Sequence, residues 1–132
     1  MNAVSYDIKD MLEAESSLGL TFATNLFVAY EPASPDNCVT IFDTPSFAPD
    51  MTLDPQNEAY YRSSAQIRIR HNTYGTGMSW ARDIMDSLHG RAHETWNGTL
   101  YTVVMAAGEP ALLATDENNR KIIIINFNLQ RR

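Results

Sequence analysis

Between residues 63 and 90 the apolar period of the chain changes once, and that change constrains the fold more than any other feature. In Ala65-Gln66-Ile67-Arg68-Ile69-Arg70, the residues Ala65, Ile67 and Ile69 alternate with polar side chains, which predicts a strand with one dry face. After the turn-prone His71-Asn72-Thr73-Tyr74-Gly75, the apolar residues Met78, Ala81, Ile84, Met85 and Leu88 recur every three or four positions, on one side of a helix. Gly90 follows, where left-handed backbone past a helix end costs least. Arg82 and Asp86 lie four apart on the polar side, a pairing worth only about 0.2–0.5 kcal/mol. The unit is scaffold and carries no catalytic motif.

The segments on either side follow the same two periods. Ser5 is placed to cap a first helix whose apolar residues Ile8, Met11 and Leu12 share a side, with Asp7 in the first turn where the helix dipole favours negative charge. Ser16-Ser17-Leu18-Gly19-Leu20 reads as its close. Residues 25–30 form a β-prone apolar run, ended by a connector at 31–37 in which Pro32 and Pro35 remove two backbone donors. Residues 38–43 predict a strand with Val39 and Ile41 on one face and Cys38, Thr40 and Phe42 on the other. Asn97-Gly98 marks a tight turn before a strand at 100–106, and Asp116-Glu117-Asn118-Asn119 a hairpin turn before the last strand. There Ile123, Ile125, Phe127 and Leu129 face one way, and burying each is worth about 1.5–3 kcal/mol. Asn126, Asn128 and Gln130 face the other way, with Ile122 and Ile124 adding apolar surface to that second side. Only residues 44–61 lose all periodicity, a long irregular loop.

These elements add up to one α+β domain over residues 1–132, a mostly antiparallel sheet with two main helices packed on one face. A chain of this size buries about two-thirds of its unfolded surface and needs neither disulfide nor metal to hold it. The single cysteine, Cys38, excludes an internal disulfide and reads as a small buried hydrophobe. No apolar run reaches the roughly 18 residues of a spanning helix, and no basic segment precedes an apolar one at the N-terminus. Neither a membrane span nor a signal peptide is therefore expected.

Charge is unevenly placed. Residues 1–61 hold ten acids and one base, net −9, whereas residues 62–132 hold nine bases and six acids, net +3. Halves of opposite sign suit either head-to-tail association between copies or, the plainer reading of this feature alone, charges that simply scatter over the surface. The overall charge of −6 argues against sequence-specific DNA binding, which needs a basic footprint.

Catalytic and metal chemistry find little support. His89 and His93 have helical spacing, but Gly90 lies between them and spoils a shared face. The calcium-loop likeness at Asp116 fails eleven residues on, where Phe127 stands in place of a bidentate Glu. There is no glycine-rich phosphate loop and no nucleophile elbow. No catalytic, cofactor-binding or metal residue is assigned, and the reading is non-enzymatic; a serine or Cys38 meeting His71, His89 or His93 in space would reopen it. Two binding features remain. Arg62, Arg68 and Arg70 make a basic stripe, either a solvated strand face or, in a ring-forming protein, a subunit interface for the acids of residues 1–61. The 44–61 loop combines Phe47, Met51 and Leu53 with Asp50, Asp54 and Glu58, a mixture suited to binding a partner protein.

The order of the pieces also resembles a known family. An N-terminal helix, then Asn25-Leu26-Phe27-Val28, Glu31-Pro32-x-x-Pro35-Asp36-Asn37, Val39-Thr40-Ile41-Phe42-Asp43-Thr44, Gln66-Ile67-Arg68-Ile69-Arg70 and Leu88-His89-Gly90 are similar to the minor capsid, or tail-terminator (tail completion), proteins of tailed bacteriophages. Asn97-Gly98-x-x-Tyr101, Gly108-x-Pro110, Asp116-x-Asn118-x-Arg120 and Asn126-Phe127 continue the pattern, so the resemblance spans nearly the whole chain. It implies a virion protein, made in the host bacterial cytoplasm, that assembles with itself into a ring, a hexamer, on the head-proximal end of the tail tube. Such a ring stops tube polymerisation, presents a docking surface to the head-tail connector, and lets genomic DNA through its lumen without specific binding. A neck protein on the portal side is the nearest alternative, and an intracellular small-molecule-binding or hydrolytic domain a more distant one. The resemblance brings no cofactor and no membrane partner.

Overall fold

The computed structural model describes residues 1–50 and 60–132. Helix α1 (Val4–Ala14) opens the chain and a 3-10 turn at Ser16–Leu18 follows it. Strands β1 (Leu26–Val28), β2 (Cys38–Thr44) and β3 (Tyr61–His71) lead into helix α2 (Tyr74–Leu88), and β4 (Glu94–Trp96), β5 (Thr99–Ala106), β6 (Ala111–Thr115) and β7 (Lys121–Arg131) complete the chain. The α+β class, the largely antiparallel sheet and the two helices on one face are as the sequence predicts.

The sheet runs β1-β2-β3-β7-β5-β4, with β6 also paired to β7. All pairings are antiparallel except that of β1 with β2. Strand β7 is the hub. One edge of it meets β3 along its length, from Tyr61 opposite Arg131 to His71 opposite Lys121. Its other edge meets β5 over Phe127 to Arg131 and β6 over Lys121 to Ile124, so β5 and β6 are two halves of one long hairpin arm broken around Gly108. The hairpin turns at Asp116, whose side chain accepts from the Asn118 and Arg120 amides at 3.0 and 2.9 Å.

Alternation and register together decide what each face carries. On the helix side, cross-strand rows bring Val39, Ile69 and Ile123 together, then Ile41, Ile67 and Ile125, then Ala65 and Phe127. All are buried, with Ile8, Met11 and Leu12 of α1 and Ala81, Ile84 and Leu88 of α2 closing over them. At Gly77 α2 packs closely on the sheet: a Cβ there would lie 2.8 Å from Ile123 Cδ1 and 3.1 Å from His71 Cβ, so a side chain would make both neighbours shift. Asn97 and Gly98 both have positive φ, 50° and 79°, the backbone of the tight turn joining β4 to β5.

Two local expectations need correction. Ser5 is not the cap of α1; Ala3 holds that position, and Ser5 lies buried in the first turn. The helix start is tied down by strand β2 instead: the Ser5 N–H donates to Asp43 Oδ1 at 3.0 Å and its hydroxyl to Asp43 Oδ2 at 2.6 Å. A carboxylate brought in by the sheet serves as the acceptor, and its charge complements the helix dipole. The helix also ends at Ala14, and Gly19, with φ of 66°, closes the 3-10 turn rather than α1.

Candidate functional site

The face of the sheet away from the helices holds the features that the sequence singles out. Its rows, again set by register, are Cys38–Arg70–Ile122, Thr40–Arg68–Ile124, Phe42–Gln66–Asn126 and Thr44–Ser64–Asn128. The last two rows are wet and cross-linked by side chains, with Gln66 donating to Asn126 and Ser64 to Asn128, both at 3.2 Å. The first two are covered by residues 29–37, the connector between β1 and β2.

The arginine stripe is engaged beneath that connector. Arg70 is 4% exposed; its Nη2 donates to Pro35 O at 2.6 Å and its Nε to Asp36 O at 3.2 Å. Glu31 sits between the two arginines, 3.5 Å from Arg68 Nη2 and 3.8 Å from Arg70 Nη1. Arg120, from the β6–β7 turn, reaches the same connector through Ala33 O at 2.7 Å and Asp36 Oδ1 at 3.2 Å. Acids of the first half of the chain thus already meet bases of the second half within one molecule.

At the opposite end of β3, Arg62 pairs with Asp50 at 3.2 Å, with both side chains about half exposed. Phe47 is 80% exposed beside a shallow groove formed with Val103, Met105, Asn128 and Gln130. The structure brings Phe47, Asp50 and Arg62 to one end of the sheet, away from Arg68 and Arg70. Met51, Leu53, Asp54 and Glu58 lie outside the described residues.

Two edge strands of the sheet, β1 and β6, differ. At β1, Leu26 has its outward backbone groups closed by the chain itself: its N–H donates to Thr21 O at 3.2 Å and its carbonyl accepts from Ala23 at 2.9 Å. Among the described residues strand β6 pairs on one side only, and Leu112 and Leu113 on it are 46% and 54% exposed. A bare, uncharged edge of this kind is a template for another strand. The sequence shows it only as a short apolar piece at 111–114.

His71 and His89 are engaged in local contacts, and Cys38 is buried. His89 is the C-cap residue of α2, and its Nδ1 accepts from the Ala106 amide at 2.9 Å. His93 lies beyond Gly90 with φ of 54°, so the two rings do not share a helical face. His71 Nδ1 accepts from the Thr73 amide at 3.0 Å, its ring meets Trp80 edge-on at 4.8 Å, and burial pulls it below its ordinary 6.5. Burial likewise pushes the Cys38 thiol up. No group of three His, Cys, Asp or Glu side chains that could hold a metal ion occurs among the described residues.

One polar cluster escapes sequence reasoning altogether. Asp7, fully buried, accepts from the Tyr101 hydroxyl and, at 2.7 Å, from the Asn97 amide, which also reaches Asp10 at 2.8 Å. Burial and the neighbouring carboxylate push the Tyr101 hydroxyl far up, so it stays a donor. The cluster locks α1 to the β4–β5 turn.

What these observations define is an α+β domain with a closed apolar core on the helix side of its sheet and, among the described residues, its buried unpaired polar atoms on the other face. The family model for the bacteriophage tail terminator protein matches residues 7–132, so the chain belongs to that family of phage tail structural proteins. Among solved structures, a chain from the virion of a native gene transfer agent particle has the same fold, with TM-score 0.65, 14% identity, and coverage of 98% of this chain and 94% of that one. A second solved protein is similar at TM-score 0.58 and 11% identity, over 98% of this chain and 91% of that one. No curated protein matches the sequence.

Proposed function

We propose that this subunit assembles with copies of itself into a ring, a hexamer, that caps the head-proximal end of a phage tail tube, stops the tube from growing and docks the head-tail connector. The family match over residues 7–132 carries this reading. The fold it shares with a chain of a gene transfer agent virion supports it. The ring sits at the head-tail junction of the virion, and genomic DNA passes through its lumen. With a net charge of −6 the subunit offers little counterion release to a passing phosphate backbone, and DNA slides through without being held.

In this reading Phe47 and Asp50, together with Met51, Leu53, Asp54 and Glu58, meet the tail-tube protein. Arg62, Arg68 and Arg70 lie at the contact between ring neighbours. Because the Asp50 N–H donates to Tyr60 O at 2.9 Å, the ends of the segment between them are already adjacent. Excising residues 51–58 should therefore leave a folded subunit that no longer limits tail length, as seen by electron microscopy of tails from particles carrying the deletion. Tails of normal, uniform length would defeat the loop assignment. Protein that remains on tailless heads, with tail length unaffected by its loss, would point instead to a neck protein on the portal side.

A further inference from the structure

We propose that residues 29–37 are a latch that opens while the rest of the domain stays folded, and that opening frees Arg68 and Arg70 for carboxylates of a second copy of the chain. The proposal rests on the ring reading for its partner but not for the latch itself.

None of residues 29–37 is itself buried. The segment is tied down by polar contacts: the arginine and Glu31 contacts described above, the Ala29 N–H donating to Ile41 O at 2.9 Å, and Asn37 Oδ1 accepting from the Asn72 amide at 3.0 Å. Segments with few buried apolar contacts open at a fraction of the cost of global unfolding. Beneath it lie Cys38, Thr40 and Arg70, all buried.

The closed latch is also incompletely satisfied. Glu31 Oε1, Thr40 Oγ1 and Arg68 Nε are buried and have no hydrogen-bond partner among the described residues. All three belong to this one patch, since Thr40 and Arg68 are register partners and Glu31 contacts Arg68. Opening lets water reach each of them, which offsets the ion pairs that are lost.

The occupant follows from charge. Two arginines released from Glu31 are a bidentate site for carboxylates. Residues 1–61 of another copy carry ten acids against one base. A neighbour's carboxylate then replaces Glu31, and the subunit keeps its arginines covered until that neighbour arrives.

Cys38 reports the latch directly, because it is the chain's single cysteine and lies under the segment. The full chain is reacted with 5,5′-dithiobis(2-nitrobenzoate) across a low-urea series. Labelling that is independent of urea at low concentration is expected, with Glu31→Gln accelerating it by about tenfold or more while circular dichroism stays native. Asn37→Ala, which removes one uncharged contact, should give a smaller rise. Labelling that climbs with urea from the start, with the full slope of global unfolding, would overturn the latch. So would a Glu31→Gln acceleration no larger than its loss of global stability.

For the partner, sedimentation of a concentration series should show Glu31→Gln associating at about tenfold lower concentration than wild type, and Arg68→Gln reversing that gain. An unchanged midpoint overturns the second-copy assignment. Absence of association in every variant counts against the ring reading, and the labelling result still decides the latch.

Discussion

The two faces of the sheet are built by opposite rules. On the helix side, Val39, Ile41, Ile67, Ile69, Ile123, Ile125 and Phe127 meet in register under α1 and α2, and all are buried. On the other side the rows are mixed, with Cys38, Phe42, Ile122 and Ile124 set beside Thr40, Gln66, Arg68 and Arg70, and the cover over Cys38, Thr40 and Arg70 is a short connector held by ion pairs. Dispersion and desolvation hold the first face, and each lost methylene there is felt. The second depends on a few directional contacts that can be exchanged for contacts with another molecule.

The largest effect should come from hollowing the first face. Phe127→Ala removes a fully buried ring opposite Ala65 and should cost about 3–5 kcal/mol, read from the urea midpoint. If the variant unfolds no more readily than wild type, the helix-covered face is not what stabilises the domain. Next comes the buried carboxylate under α1. Asp7→Ala leaves the Tyr101 hydroxyl without its carboxylate acceptor and the Asn97 amide with Asp10 alone, for an expected loss of about 1–3 kcal/mol. Tyr101→Phe should recover part of that loss in the Asp7→Ala background, because it removes the orphaned donor. Equal penalties for the single and double variants would break the pairing.

How much of this was legible in the sequence follows the same division. The alternation of Ile123, Ile125, Phe127 and Leu129 gives the dry side of β7, and the change to a helical period at Met78 gives α2, because burial leaves a periodic trace in a single segment. Polar pairing leaves none. Asp43 anchors Ser5 from 38 residues away, Asp7 meets Tyr101 across 94, and Arg70 finds Pro35 across 35. The stripe of Arg62, Arg68 and Arg70 therefore looks uniform in the sequence, although Arg70 is enclosed by the connector and Arg62 sits half exposed beside Asp50. Strand β6 was hidden for a different reason. It is exposed throughout, and its register to β7 shifts between Leu112 and Ala114, so no period-two pattern marks it.

A smaller effect is expected from pH, at the edge of the apolar face. His71 is buried against Trp80 with its Nδ1 taken by the Thr73 amide, and burial holds its pKa below the ordinary 6.5. The unfolded chain therefore takes up a proton before the folded one does, and stability falls as pH drops below about 6.5. Urea midpoints measured at several pH values between about 5 and 8 should fall on the acid side, and His71→Gln should flatten that dependence. A slope unchanged by the substitution would assign the pH effect to another group.

The smallest effect sharpens the contrast most. Asn126 and Phe127 are neighbours on β7, but Asn126 faces solvent and its only side-chain partner among the described residues is Gln66, at 3.2 Å. Asn126→Ala exchanges an exposed amide contact for water on both sides and should change stability by no more than about 0.5 kcal/mol, against the several expected one residue later. The same pair of measurements bears on assembly. If Asn126→Ala leaves folding intact but weakens association of copies or attachment to tails, the wet rows of the second face belong to an interface. If it alters neither, the working contacts lie at the connector, at the Phe47 end and along the bare β6 edge, and the amide rows serve only to keep the face between them hydrated.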